Sequence, residues 1–247
     1  MKIAGKLTVL LLLSVLLSAP VLAQSDLVVW KKSGGTVTVP VSSVGNIEFK
    51  TPEEIPDGSR EVNGHQFVDL GLPSGLLWAT CNIGASTPAE AGSYFAWGET
   101  ATKTTYSTAT SVWRGKAYPA STLKAEDDAA TVNWGAGVRM PTSEECVELC
   151  QNADWVWTDD YEGSGMGGRI VTSKTNGNSI FIPAAGAAYE SGIDSYGKNA
   201  FYWTADAYSD DGTNESAWDV YYYSDWINPY IGWIDRYYGM PVRAVAE

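Results

Sequence analysis

Short runs of strand character, each bounded by glycine and polar loops, recur along most of the chain: residues 65–70, 76–79, 94–97, 169–172, 179–183, 201–204, 217–222 and 241–245. Only one helix is well signalled. Thr142 and Glu145 stand three residues apart after Pro141 and form a capping box, and Glu144 and Glu145 suit the positive end of a helix dipole. From there Cys146, Leu149 and Cys150 make an inward stripe that ends near Asn152. One helix among many short strands and long loops predicts an irregular α+β domain over residues 62–247.

Ahead of that domain the pattern changes. LVVWKK and TVTVPV flank Ser33-Gly34-Gly35, a hairpin signal, and residues 44–49 could add a third strand, so residues 24–50 read as a small β-ribbon. Such a ribbon buries too little to stand alone and needs the main domain or a partner. Residues 51–61, rich in Pro, Glu, Asp and Gly, form the linker. Residues 1–23 have the form of a signal peptide: Lys2 and Lys6, an apolar middle over residues 7–17, and Val21-Leu22-Ala23 as a small-residue cleavage site. The apolar run is too short to span a bilayer, and the residue directly after the cleavage site is Gln24 rather than the cysteine of a lipid anchor. The expectation is an exported protein, periplasmic, cell-surface or secreted, with no membrane insertion.

Charge narrows the partners. The formal net charge is -13, and it becomes -15 once the two leader lysines are removed, which opposes unspecific attraction to nucleic acid. The three cysteines cannot all pair with one another. Cys146 and Cys150 fall on one helix face and read as buried free thiols, with a bridge from Cys81 as the alternative.

Catalytic signals are thin, and the expectation is a non-enzymatic protein without a cofactor. His65 is the sole histidine and lies in a strand-like run, so it reads as structural. Residues 163–168 satisfy GxGxxG but precede a strand rather than open a helix, which suits a hairpin loop and not a phosphate cradle. Asp206, Asp210, Asp211, Glu215 and Asp219 supply oxygen ligands but fit no EF-hand spacing and read as a solvated acidic loop. Asp159 and Asp160, as neighbours on a strand, would face opposite sides and make no glycosidase pair.

The strong candidate lies at the C-terminal end. Residues 201–245 hold eight of the fourteen tyrosines and four of the eleven tryptophans, interleaved with Asp, Asn, Ser and Gly. Rigid rings give contact area at little rotamer cost and short polar side chains adapt their hydrogen bonds, the composition of a recognition surface. The proposed ligand-binding set is Tyr221, Tyr223, Asp225, Trp226, Ile227, Asn228, Tyr230, Ile231, Trp233, Ile234, Asp235, Tyr237 and Tyr238. Trp226, Gly232, Trp233 and Arg236 would frame it. Because alternate strand residues face opposite sides, either Tyr222 or the pair Tyr221 and Tyr223 must point outward.

VDLGLPSGLLWATCNIGA (68–85), AGSYFAWGET (91–100), DDAATVNWGAGVRMPTSEECVEL (127–149), GNSIFIPAAG (177–186), YWTA (202–205) and RYYGMPVRAV (236–245) resemble, in order, the Fibrobacter major paralogous (FISUMP) domain found in exported proteins of Bacteroidetes. Through Arg139-Met140-Pro141-Thr142 and residues 239–243 that family is similar in turn to formylglycine-generating enzymes, which implies a C-type-lectin-like fold with the C-terminal strands as an exposed binding face. No cysteine after Cys150 matches the reactive pair of those enzymes, so their activity is not implied. Nor are the calcium motifs of true C-type lectins present. The chain departs from the family where Cys146 and Ala153 replace its usual Trp and Cys. Every residue from 221 to 238 other than Trp, Pro, Gly and Arg is reachable from an asparagine codon by changing at most one adenine, as in targets of diversity-generating retroelements. The resulting expectation is a binder of a protein or glycan ligand at a cell surface, with a carbohydrate-binding module or a structural surface protein as alternatives, and with the oligomeric state open.

Overall fold

The computed structural model describes residues 26–30, 36–40, 58–209, 212 and 214–247. Its two compact units are residues 1–53 and 54–247. In the first, β1 (Asp26–Trp30) pairs antiparallel with β2 (Thr36–Pro40), Val28 opposite Thr38, which is the hairpin that the two β-prone runs predict. The leader, the proposed third strand and most of the linker lie outside the described residues.

The second unit corrects the fold class. It is built on several small antiparallel sheets with few helices, the protein as a whole being 37% strand against 12% helix, so the α+β, C-type-lectin-like expectation does not hold. Its elements in chain order begin with β3 (Ser59–Val62), β4 (His65–Asp69), β5 (Leu77–Ala79), α1 (Ala129–Trp134), β6 (Val138–Arg139) and α2 (Ser143–Asn152). They continue with β7 (Ala153–Thr158), β8 (Gly168–Ser173), β9 (Ser179–Pro183), β10 (Ala187–Tyr189), β11 (Gly192–Asp194), β12 (Asn199–Tyr208), β13 (Ser216–Tyr223), β14 (Tyr230–Asp235) and β15 (Val245–Ala246). A five-stranded sheet runs β3-β4-β5-β15-β6, and two three-stranded sheets run β7-β8-β9 and β12-β13-β14. The C-terminal β15 is an interior strand, pairing Val245 with Trp78 of β5 on one side and with Arg139 of the edge strand β6 on the other.

Local chemistry explains the helices. In α2 the Thr142 hydroxyl accepts from Glu145 N at 3.2 Å while Glu145 accepts from Thr142 N at 2.8 Å, the reciprocal capping box that satisfies two end donors. Glu145 also takes a two-pronged contact from Arg139 at 2.6 and 2.7 Å. Cys146 and Leu149 are buried and Cys150 half-buried, on the face read from the sequence. The second helix, α1, was not expected. Asp128 caps it by accepting from Thr131 N, and Gly135 ends it at positive φ, but six residues are too few to show a helical period.

Two large hydrophobic clusters, with a small third one of Ala96, Tyr106 and Ala188, lie among the described residues of this unit. One gathers Phe67, Phe95, Trp97, Trp134, Trp203, Met240 and Val242, the other Val68, Leu149, Trp155, Ile182, Tyr202 and Tyr222. The sheet β12-β13-β14 contributes to both, and this placement decides which of its rings remain free for recognition.

Candidate recognition surface

The β13–β14 hairpin sorts the C-terminal aromatics by register. Tyr221 stands opposite Phe201 on β12 and Tyr230 on β14, while Trp218 stands opposite Trp233 and Val220 opposite Ile231. Strand neighbours point to opposite faces, so Tyr221 and Tyr223 share one face and Tyr222 takes the other. Tyr222 is 1% exposed, packs in the second cluster and donates to Ile182 O at 2.5 Å. Tyr221 and Tyr223 are the outward pair.

On their face, five rings meet. Trp226 lies edge-on to Tyr223 at 4.2 Å and to Tyr230 at 4.7 Å between centroids, and tilts against Tyr221 at 5.6 Å. Tyr221 stacks between Tyr230 at 6.1 Å and Phe201 at 6.2 Å. Gly232 makes room for this, since a Cβ there would come within 2.6 Å of the Tyr221 ring. Tyr230 remains 53% exposed at the rim, and the loop beyond it exposes Asp225, Asn228 and Ile227, the last at 83%.

The loop owes its shape to Arg169 on β8, a residue that the sequence reading passed over. Its buried guanidinium donates to the carbonyls of Trp155 (2.9 Å), Tyr223 (3.3 Å), Ile227 (3.4 Å) and Trp226, and lies 5.5 Å from the Tyr222 ring and 5.7 Å from that of Trp157. Among the described residues it makes no ion pair, and burial pulls its pKa below the ordinary guanidinium value. An arginine inside the otherwise apolar run Gly168-Arg169-Ile170-Val171 was the available signal.

Asp219 lies one step behind the ring cluster on the same face, opposite Trp203 and Gly232. It is 2% exposed, and no ion pair serves it among the described residues. Burial pushes its carboxyl up to about 7. It therefore does not belong to a solvated acidic loop. Asp206 is occupied structurally as well, accepting from Thr122 Oγ1, Ser143 N and Ser143 Oγ at 2.7 Å each. Glu215 accepts from Gly115 N, and Asp210 and Asp211 lie outside the described residues. Among the described residues no three metal-ligating side chains converge.

The remaining predicted residues lie elsewhere. Trp233, 51% exposed, projects from the face opposite Tyr230 and stacks on Tyr208 at 4.8 Å with the planes 4° apart. Ile231 and Ile234 pack at the edges of the two cores. Tyr237 and Tyr238 stack on each other at 4.8 Å and group with Tyr189 on β10, and Tyr237 bonds the half-buried Asp235. Arg236 is framework: its Nε donates to Ser216 O at 2.9 Å and its guanidinium lies over Trp97 at 4.5 Å. The thirteen-residue set thus separates into a ring cluster at the hairpin tip, a Trp233 patch and a Tyr237–Tyr238 patch.

Other candidate groups are structurally engaged. His65 stacks on Trp134 at 3.8 Å, and partial burial lowers its pKa. Residues 159–167 link β7 to β8 as a hairpin loop in which Asp159 accepts from Trp157 Nε1 and Asp160 from Gly165 N. All three cysteines are free thiols. No family model, no curated protein and no solved structure matches the chain.

Proposed function

We propose that this chain is an exported, non-enzymatic binding protein whose recognition surface is the ring cluster of Tyr221, Tyr223, Trp226, Tyr230 and Phe201 with the adjoining loop residues Asp225, Ile227 and Asn228. The observation that carries the reading is that these partly exposed rings are held in mutual contact while a buried arginine fixes the loop that presents them. Rings ordered before binding lose little rotamer freedom on contact, which favours affinity. The rings suit apolar and stacking contact, and the loop carboxylate and amide suit hydrogen bonds, so the ligand class is a protein or a glycan at a cell surface. Export is inferred from residues 1–23, and the likeness to FISUMP domains supports the same setting. The adenine-codon pattern of residues 221–238 supports diversification by a retroelement. Sequencing the 3′ end of the gene across one lineage tests that part, and an invariant segment without a nearby near-copy would end it.

A glycan array and a displayed-peptide library, probed with the full chain, test the binding reading. Trp226→Ala and Tyr230→Ala are expected to weaken the best ligand by about 30-fold or more each, the effect of losing a central aromatic anchor. Trp233→Ala and Tyr237→Ala, on the other patches, are expected to leave it within about threefold. Equal losses at all four positions, or none at Trp226 and Tyr230, would place recognition elsewhere. The stacked Trp233–Tyr208 pair supports the carbohydrate alternative, because it leaves one indole face free for a sugar ring.

A further inference from the structure

The sheet β12-β13-β14 has two edges of unlike character. Along β12 the outer edge is taken by other segments: Leu123 N donates to Ala205 O at 2.8 Å, Ala205 N to Pro141 O at 2.7 Å and Ala207 N to Ser121 O at 2.8 Å, and the register shifts between Trp203 and Ala207. By contrast β14 pairs with β13 over all six residues, Tyr230 to Asp235, without a shift. Arg236 N donates to Glu215 O at 2.8 Å, the next pair of the same register. Bonded and non-bonded pairs alternate in an antiparallel ladder, so Tyr230, Gly232 and Ile234 turn their main-chain groups to β13 while Ile231, Trp233 and Asp235 turn theirs outward. Asp235 O is taken by Tyr238 N at 3.2 Å. Among the described residues no hydrogen bond reaches the outward N–H and C=O groups of Ile231 and Trp233.

An edge of this kind pairs readily with another chain, and proteins blunt it with Lys, Pro, a bulge or a covering segment. Residues 230–235 contain no Lys or Pro, and Trp233 on this edge is exposed. Charge selects the occupant. Residues 199–235, the whole of this sheet with its loops, contain seven Asp and Glu and no Lys or Arg. Asp225, exposed in the loop before β14, and Asp235 at its far end flank the open stretch. A second copy laid along β14 would set like charges against each other, whereas a segment carrying Lys or Arg meets opposite charge.

We propose that the free edge of β14 is a strand-addition site for an extended, basic segment of a partner protein, paired through the main chain of Ile231 and Trp233. Resting on the reading of this hairpin as a recognition surface, it narrows the ligand to a protein. The added strand supplies main-chain hydrogen bonds to the edge, and its alternate side chains lie beside Tyr230 on one face and Trp233 on the other.

The probe is a displayed library of linear peptides of about twelve residues, panned against the full chain, with the tightest binder resynthesised carrying one backbone N-methyl group at each position in turn. Binders are expected to be basic with alternating apolar residues. Methylation at every second residue is expected to cost about 30-fold or more in affinity, and at the residues between them about threefold or less. Trp233→Pro and Trp233→Ala lose the same ring, but only proline also removes the outward N–H, and it leaves the bonds to β13 in place. The proline variant is expected to bind about 30-fold more weakly and the alanine variant within about threefold of wild type. A flat methylation profile, equal binding by the two variants, or no peptide binder at all overturns the proposal. So does self-association of the chain that Trp233→Pro abolishes, since a second copy would then occupy the edge. Loss of binding in Trp226→Ala without loss in Trp233→Pro confines the failure to strand addition and leaves the ring cluster as the recognition surface. Should Trp233→Pro fail to fold, the methylation profile on the wild-type chain decides.

Discussion

Arg169 donates to the carbonyl of Trp226, 57 residues further along the chain, and so fixes the loop between β13 and β14 from inside the neighbouring sheet. Lysine would keep the charge but loses the planar fork that reaches several carbonyls at once. Arg169→Lys is expected to cost about 2–4 kcal/mol, because buried carbonyls lose their donor, and to speed amide exchange in residues 223–228 ahead of the rest. Denaturant melts with exchange mass spectrometry would show it, and uniform loss of protection would contradict a local role.

Gly232 sets the pose of Tyr221. In Gly232→Ala the new methyl would lie 2.6 Å from a ring atom and must displace Tyr221 against Trp226 and Tyr230. The expected result is a loss of ligand affinity of about tenfold with a stability cost near 1 kcal/mol, as the ring can tilt toward solvent. Gly168→Ala is the contrast. There the Cβ meets Ile182 O and the Phe181 ring, both at 2.5 Å, and global stability should fall by about 2–3 kcal/mol.

Stability should depend on Asp219 across the mildly acidic range. Its carboxyl is raised from 3.8 to about 7 by burial, so between those values the folded chain keeps a proton that the unfolded chain has released. Stability therefore falls as pH rises from about 4 to about 7, by a few kcal/mol in total, and the deficit persists above that range. Asp219→Asn is expected to flatten this dependence and to melt higher than the wild type at pH 8. Asp128, also raised by burial, acts in the same sense, so the wild-type-minus-variant difference isolates Asp219.

Thiol labelling should separate the cysteines. Cys146 is buried, Cys150 is half-buried with its pKa pushed up to about 12, and both thiols stay protonated near neutrality. Brief alkylation at pH 7.5 is expected to modify Cys81 alone, with three labels only after denaturation, read by intact mass. Native labelling of Cys150 at the rate of Cys81 would contradict this packing.

Tyr222→Ala and Tyr230→Ala should differ in kind. The first removes a fully packed ring and is expected to cost about 3–5 kcal/mol, the second less than about 1 kcal/mol. Matched circular dichroism melts would show whether the two adjacent faces carry the roles assigned to them.

Features encoded locally were legible in the sequence. The Thr142–Glu145 capping box needs four consecutive residues, and strand alternation alone sets Tyr222 on the face opposite Tyr221 and Tyr223, while which of the two faces is buried follows only from the packing of Tyr222 in the core. The fold class was not legible, because a single strong helix signal was given the weight of a layer while β3, β6, β7, β10, β11 and β14 were not recognised as strands, and of the runs expected over 94–97 and 241–245 only a bridge at Phe95 and the start of β15 at Val245 form. In β14 Gly232 interrupts the pattern, and with it the cue that Trp233 projects away from Tyr230. Arg169 was missed for a related reason. A side chain that acts on backbone oxygens more than fifty residues away leaves no spacing to read.

That mode of anchoring has an evolutionary consequence. Arg169 grips only main-chain oxygens of Tyr223, Trp226 and Ile227, atoms that every amino acid supplies. Side chains at positions 224, 225, 227 and 228 can therefore be exchanged while the loop keeps its course. A saturation library should find these positions permissive for folding and position 169 intolerant, a division that lets specificity drift while architecture is held.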